Sequence, residues 1–104
     1  MISRLCGTLV HKGMNTVVID VGGVGYEALV SLRDLEALPP LESEVKIAIL
    51  TNVREDAIQL FGFLNKSDKK VFTRLTSVSG VGPKTALHAL GTMSGKELQE
   101  AIMA

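Results

Sequence analysis

The sequence contains no tryptophan and only four aromatic residues, one tyrosine and three phenylalanines. Its core must therefore be mainly aliphatic. The single cysteine, Cys6, excludes an internal disulfide and a zinc site made of several cysteines, and it favours a reducing, cytosolic compartment. We expect Cys6 to be a small residue of the core. No apolar run approaches the roughly 20 residues of a membrane span, and none near the N-terminus is long enough for a signal peptide, so we expect no membrane partner.

The sequence also lacks a net charge, because 11 basic residues balance 11 acidic ones. Such a balance argues against a protein that binds any polyanion. The charges are unevenly distributed, however. Residues 1–62 include five basic and eight acidic residues, a net charge of −3, whereas residues 63–104 include six basic and three acidic residues, a net charge of +3. This asymmetry predicts a boundary between two units near residue 63.

The first half of the sequence has the pattern of a small β-barrel. Five segments rich in apolar and β-branched residues predict strands, at 2–10, 16–21, 25–30, 45–51 and 57–63. Between the third and fourth strands, Ser31 and Asp34 resemble the capping box of a short helix, which the Pro39-Pro40 pair ends. Five short antiparallel strands with one helix in this place predict a partly open Greek-key barrel of the OB type. An SH3-like barrel is the nearest alternative.

The second half has the pattern of an α-helical unit. Asn65 is a suitable cap for a helix that runs to about Ser77. Pro83 suits the first position of the next helix, because proline has no N–H group to leave unpaired there. We expect this second helix to end at Gly91. The two helices with the glycine-rich turn between them form a helix-hairpin-helix unit.

The predicted fold is therefore α+β, with an OB-type domain over residues 1–62 and a helix-hairpin-helix domain over residues 63–104. Residues 94–97 resemble a capping box that opens a third helix. This helix meets no stop signal before Ala104. We therefore expect the sequence to end inside the helical domain.

The segment 78–84 carries the strongest functional signal. Gly80 and Gly82 allow a sharp turn and leave the backbone N–H groups uncovered by side chains. Such groups beside a helix N-terminus bind a phosphate oxygen, and contacts to phosphate read no base sequence. The predicted DNA-backbone site consists of Ser79, Gly80, Val81, Gly82, Lys84 and Thr85.

The members of this site have different expected roles. Val81 packs against the two helices and fixes the hairpin. Lys84 supplies a positive charge, and Thr85 supplies a hydroxyl donor for the same phosphate. A plain turn between two helices, without a ligand, is the alternative interpretation.

A second candidate site is the charged triplet Arg54, Glu55 and Asp56, between the fourth and fifth predicted strands. Charged residues at a turn commonly form nothing more than a solvated tip. Because carboxylates and water suit Mg²⁺, a metal-dependent nuclease site is another interpretation. No third carboxylate lies nearby in the sequence, which weakens it.

Five stretches taken together resemble the RuvA family of bacterial Holliday-junction-binding proteins. They are MISRLCG at 1–7, VGGVGYE at 21–27, VREDA at 53–57, LFGF at 60–63 and SGVGPKTA at 79–86. Two positions depart from that pattern. Ser3 stands where we expect a glycine, and Cys6 stands where a basic residue is frequent. Neither belongs to the predicted DNA site.

The resemblance implies an OB domain followed by a helical domain with two hairpins, of which this sequence holds the first. With one hairpin, fewer phosphates are neutralised and DNA binding should be weaker. It also implies a homotetramer, possibly assembled into an octamer, on a four-way DNA junction. In that family, acidic residues at the tip of an OB hairpin lie near the junction centre. Glu55 and Asp56 match this acidic pin, and Arg54 is a supporting basic residue.

The resemblance further implies two protein partners, the RuvB motor and the RuvC resolvase, in recombination and DNA repair in the bacterial cytoplasm. The subunit itself would be non-catalytic, with ATP hydrolysis in RuvB. The sequence has no phosphate-binding loop of the P-loop type, and we expect no cofactor or metal. A metal-dependent nuclease that uses the acidic tip and a purely structural oligomerisation module remain the alternatives.

Overall fold

The computed structural model of the protein describes residues 1–93, 96–98 and 100. The elements, in chain order, are β1 (Arg4–Lys12), β2 (Thr16–Val21), β3 (Val24–Leu29), α1 (Leu32–Ala37), β4 (Glu44–Val53), β5 (Ile58–Phe63), α2 (Lys66–Ser77) and α3 (Pro83–Thr92). The capping box predicted at 94–97 begins outside the described residues, whereas residues 96–98 and 100 are helical, as a third helix in the second half requires. No helix in the described part of the chain is long and apolar enough to cross a membrane.

The five strands form a closed barrel in the order β1-β2-β3-β5-β4. Four of the five pairings are antiparallel. The fifth is parallel and brings Leu29 of β3 opposite Phe61 of β5. With α1 in the connection between β3 and β4, this barrel confirms the predicted OB type. The barrel is more closed than expected, and its strands are not all antiparallel, because β5 reaches across to β3.

The interior of the barrel is aliphatic. Its buried residues alternate along the strands with residues that face outwards, as period-two patterns require, and they include Leu5, Leu9, Val17, Ile19, Ala28, Val45, Ile47, Ile49 and Leu60. Gly62 of β5 also belongs to this inner face. A Cβ atom at Gly62 would lie 2.9 Å from Cδ1 of Ile47 and 3.2 Å from Cγ1 of Val30. Glycine at this position therefore leaves room for the side chains that fill the barrel.

The outer face of β4 and β5 carries the helices. Ala48 lies opposite Phe63, and Leu50 lies opposite Phe61, and all four belong to the apolar cluster that α2 and α3 complete. The ring of Phe72 in α2 lies 5.2 Å from that of Phe61 and 5.1 Å from that of Phe63, measured between centroids. Three of the four aromatic residues thus join the helices to the barrel.

The first strand corrects one expectation about the core. β1 begins at Arg4, two residues later than predicted. Leu5 and Leu9 face inwards and are buried, so the residues between them at even positions face outwards. Cys6 is exposed. The prediction that Cys6 belongs to the core is therefore wrong, because strand alternation overrides its small, apolar character.

The predicted capping box at α1 is only half formed. The Ser31 hydroxyl accepts a hydrogen bond from the Asp34 N–H at 3.2 Å. The Asp34 carboxylate, however, accepts from the N–H of Leu64 at 3.2 Å, between β5 and α2. Burial raises the pKa of Asp34 above its usual value of 3.8, the Leu64 hydrogen bond lowers it in part, and the neighbouring Asp68 raises it further. This side chain thereby ties α1 to the start of the helical half.

Candidate nucleic-acid interface

A short turn joins α2 to α3, and its first half depends on a glycine. The N–H of Val78 donates to the carbonyl of Leu75, and the N–H of Val81 donates to the carbonyl of Val78, both at 3.1 Å. Gly80 has a φ of 87°. This left-handed conformation is strained for residues with a side chain. The turn itself therefore favours glycine at position 80.

Val81 anchors the turn in the way the sequence predicted. It is half-buried against the apolar cluster of α2 and α3. Its neighbours Gly80 and Gly82 are exposed. The side chain of Val81 thus packs into the protein, while the backbone on either side of it remains open to solvent.

The conformation of the turn does not explain why residue 82 is a glycine. Its φ of −84° and ψ of 168° are accessible to any residue. A Cβ atom at Gly82 would meet no described atom within 4 Å. Neither backbone strain nor internal packing therefore requires glycine here. A residue without a side chain does leave the N-terminus of α3 open to approach from solvent.

The N-terminus of α3 also differs from those of α1 and α2. Ser31 caps α1 and Asn65 caps α2, each with a side-chain oxygen that accepts a backbone N–H. At α3, Gly82 is the N-cap and offers no such oxygen. Among the described hydrogen bonds, none uses the N–H groups of Lys84 and Thr85. These N–H groups, at the positive end of the helix dipole, can donate hydrogen bonds to an anion from outside.

All six residues of the predicted DNA-backbone site lie on this one turn and the start of α3. Ser79, Lys84 and Thr85 are exposed there, like the two glycines. The hydroxyl groups, the ammonium group and the free N–H groups are donors that suit one phosphate. The arrangement has the chemistry of a phosphate site, and its assignment to DNA stays a prediction.

The acidic triplet lies at the tip of the β4–β5 hairpin. The N–H of Arg54 donates to the carbonyl of Ala57 at 2.8 Å, which leaves Glu55 and Asp56 as the two residues of the turn. All four are exposed. Two carboxylates on a projecting tip repel phosphate groups, by about 1 kcal/mol for a pair of charges 4 Å apart in water. The charge of the tip therefore opposes phosphate binding there.

The described residues provide no set of metal ligands. No group of three or more His, Cys, Asp or Glu side chains within them is arranged to hold a metal ion. The nuclease hypothesis for Glu55 and Asp56 thus gains no ligand set from this part of the chain. Within the same residues, no hydrogen bond or ion pair connects the acidic tip to the turn at 78–82. We treat the two as separate surfaces.

The structure also gathers six cations that were not expected to act as a group. They line one groove between the barrel and α2, and they are Arg4, Lys46, Lys66, Lys69, Lys70 and Arg74. The four-residue spacing of Lys66, Lys70 and Arg74 was visible in the sequence as one face of a helix. The approach of Arg4 and Lys46 depends on strand pairing far apart in the chain, so no local pattern reveals it.

Comparison with known proteins identifies relatives of this chain. A family model described as the RuvA N terminal domain matches residues 1–62. Proteins named Holliday junction branch migration complex subunit RuvA match nearly the whole chain. The one from Syntrophotalea carbinolica is 48% identical over 98% of this chain, and so is one from Neisseria meningitidis. The one from Chloroherpeton thalassium is 43% identical over all of it. The chain spans about half the length of these relatives, 51 to 53%.

Proposed function

Since the chain belongs to the RuvA N-terminal domain family, we propose that it binds four-way DNA junctions as the DNA-binding subunit of a branch-migration complex. The binding is structure-selective and independent of base sequence. The observation that carries this proposal is the N-terminus of α3. It has N–H groups at Lys84 and Thr85 that no described hydrogen bond uses, no side-chain cap, and a glycine at position 82 that no contact among the described residues requires.

The hairpin supplies affinity for the DNA backbone. A phosphate oxygen accepts hydrogen bonds from the N–H groups of Lys84 and Thr85, and the helix dipole favours its negative charge. The Lys84 ammonium and the Ser79 and Thr85 hydroxyls add contacts to the same strand. Gly80 and Gly82 keep the backbone bare so that the phosphate can approach, and Val81 holds the turn in place. Contacts to phosphate read no base edge, so affinity should be the same for any sequence.

Junction preference comes from the assembly. In a homotetramer, or in an octamer of two such tetramers, four hairpins would hold four duplex arms. The four acidic tips, each with Glu55 and Asp56, would then face the crossover. Their repulsion of phosphates favours strands that separate and change partners there. Arg54, at the base of each tip, attracts a phosphate that lies farther out.

The proposed role of this chain is to bind, not to catalyse. Strand movement requires a motor, and we assign ATP hydrolysis to the partner RuvB and junction cleavage to RuvC. With these partners, the proposed setting of the protein is recombination and DNA repair in the bacterial cytoplasm. The names of the relatives call them subunits of a branch migration complex, which supports a role alongside other proteins.

A binding competition tests the proposal directly. Fluorescence anisotropy with a labelled four-way junction is followed while unlabelled junction, duplex or single strand of the same sequence is added. We expect the junction to compete best, and a junction of scrambled sequence to compete equally well. Equal competition by all three shapes would contradict the junction preference.

A measurement of mass in solution separates affinity from assembly. We expect a tetramer whose mass increases when junction DNA is added. A tetramer that binds no DNA at any salt concentration would instead identify a structural oligomerisation module, and it would overturn the proposed function.

A further inference from the structure

A groove of about 940 Å³ lies between the outer surface of the barrel and α2. Six of the side chains that line it are the cations named above, and none of the lining residues is acidic. Asp68, the one acidic residue of α2, is buried and does not line the groove. The chain as a whole has no net charge. The groove is therefore a local concentration of positive charge, and like charges held this close repel one another unless an anion joins them.

The helical wall of the groove is a regular row of cations. Lys66, Lys70 and Arg74 follow one another at four-residue intervals and are all exposed. Residues four apart lie on the same face of a helix, with a rise of roughly 6 Å from each to the next. Arg33 and Glu97 form an ion pair at 3.9 Å, away from this row.

The opposite wall comes from two paired strands. Arg4 of β1 lies opposite Ala48 of β4, and Cys6 lies opposite Lys46. Arg4 and Lys46 are thus diagonal neighbours on the outer face of the barrel, which brings their charges to the same edge. Strand pairing and the packing of α2 on β4 together place cations on both sides of one channel.

We propose that this groove binds the phosphate backbone of a DNA strand at a second contact, separate from the turn between α2 and α3. The inference rests on the proposed function, because it assumes that DNA is the ligand. It adds a set of residues, Arg4, Lys46, Lys66, Lys69, Lys70 and Arg74, to the path of the DNA. The helix α2 links the two contacts, since Arg74 precedes the start of the turn at Val78 by four residues.

The chemistry of the groove favours backbone over bases. A DNA strand carries one negative charge per roughly 3.4 Å of helix axis, so cations at intervals of roughly 6 Å meet about every second phosphate. The lining contains no aromatic residue, whereas sites that bind unpaired bases stack them on aromatic rings. An acidic surface of a protein partner would also be attracted to the groove, and the experiment separates that case.

The test compares two triple variants of equal charge change. The first is Lys66→Gln, Lys70→Gln and Arg74→Gln in the groove. The second is Lys12→Gln, Arg33→Gln and Lys96→Gln, three cations that do not line the groove. Duplex and junction affinities are measured by anisotropy across a series of salt concentrations. Each phosphate contact contributes about 0.9 to the slope of log K against log salt concentration. We expect the groove variant to lose up to about 2.7 of that slope and the control variant to keep it.

Each outcome of this test decides something. Equal slopes and affinities in the two triple variants would overturn the groove proposal, because net charge alone would explain the binding. An unchanged DNA affinity with a loss of oligomer mass in the groove variant would overturn it too, by identifying a protein contact. If the triple variant loses its helical circular dichroism, the single variant Lys70→Gln replaces it, because this position is exposed. We expect Lys70→Gln to lose about 0.9 of the slope.

Failure of the groove proposal is distinguishable from failure of the proposed function. If the unmodified chain binds DNA and Gly82→Ala weakens that binding, the hairpin stands whatever the groove variant does. If the unmodified chain binds neither junction nor duplex at low salt, the proposed function fails and the groove proposal fails with it.

Discussion

Substitution of alanine at Gly82 separates folding from DNA binding at the hairpin. Gly82 has an ordinary backbone conformation, and a methyl group there would meet no described atom within 4 Å. Alanine restricts the conformations of the unfolded chain, which stabilises the folded protein by about 0.4–1 kcal/mol. It is a poorer N-cap than glycine, which costs a similar amount. We therefore expect the free energy of unfolding to change by less than about 0.5 kcal/mol.

The same methyl group should weaken DNA binding strongly. It occupies the space through which a phosphate reaches the N–H groups of Lys84 and Thr85. A hydrogen bond to a charged group contributes roughly 1.5–3 kcal/mol, and 1.4 kcal/mol corresponds to a factor of ten in affinity. The loss of one such contact at Gly82→Ala predicts a decrease of about ten- to a hundredfold. Because phosphate contacts read no base sequence, each engaged hairpin should lose the same affinity whether it holds an arm of the junction or a duplex.

Two further glycines provide matched controls. Gly80 and Gly23 have φ values of 87° and 92°, and a Cβ atom at either would meet no described atom within 4 Å. Alanine at either position should cost roughly 1–2 kcal/mol of stability, because an L-residue is strained there. Gly23 lies in the β2–β3 turn, outside the predicted DNA site. Only Gly80→Ala should therefore weaken DNA binding as well as lower the melting temperature.

The assay combines thermal melting with anisotropy titrations of labelled duplex and junction. We expect Gly82→Ala to melt with the unmodified chain and to bind far more weakly. Gly23→Ala should melt earlier, by about 4–8 °C per kcal/mol for a domain of this size, and should bind normally below its melting temperature. Unchanged DNA affinity in Gly82→Ala would refute the assignment of the N-terminus of α3 to phosphate.

Three other predictions test the acidic tip, the hydrogen bond between Asp34 and Leu64, and the packing of Phe72 between the barrel and the helices. Glu55→Gln with Asp56→Asn should keep or tighten junction binding while altering strand separation, because it removes repulsion of phosphates; a clear loss of affinity in a gel-shift titration would contradict this. The raised pKa of Asp34 means that, between pH 3.8 and its higher folded value, the unfolded chain has lost a proton that the folded chain retains. Stability should therefore fall as the pH rises through that window, and Asp34→Asn should flatten this slope in urea melts while keeping the bond from Leu64. Phe72→Ala should destabilise by about 3–5 kcal/mol, since it removes a buried ring packed between two others; a loss below 1 kcal/mol would show that this joint contributes little.

The local features of this protein could be predicted from the sequence. The sharp turn at Gly80, the cap at Asn65 and the start of α3 at Pro83 all lie where they were expected. Each depends on stereochemistry within a few residues, such as the positive φ that glycine tolerates or the missing N–H of proline. The predicted DNA-backbone site has the same local origin, and for that reason its six residues lie together in the structure.

Contacts between distant segments were decided only in the tertiary structure. The pattern of β5 indicates a strand, but not that Phe61 and Phe63 face the helices while Gly62 makes room inside the barrel. The same holds for the parallel pairing of β3 with β5, the exposure of Cys6, and the bond from Leu64 to the buried Asp34. Alternation along a strand defines two faces without saying which of them a later helix will cover.

The charges of the chain illustrate the same division. The sequence by itself determined how many cations each half carries and that three of them share one face of α2. Only the pairing of β1 with β4, and the packing of α2 on the outer face of β4 and β5, brought Arg4 and Lys46 to that helix. The physical reason is that local periodicity is set by the backbone of one segment. Neighbours across the barrel depend on which apolar faces can be buried together, which involves the whole chain at once.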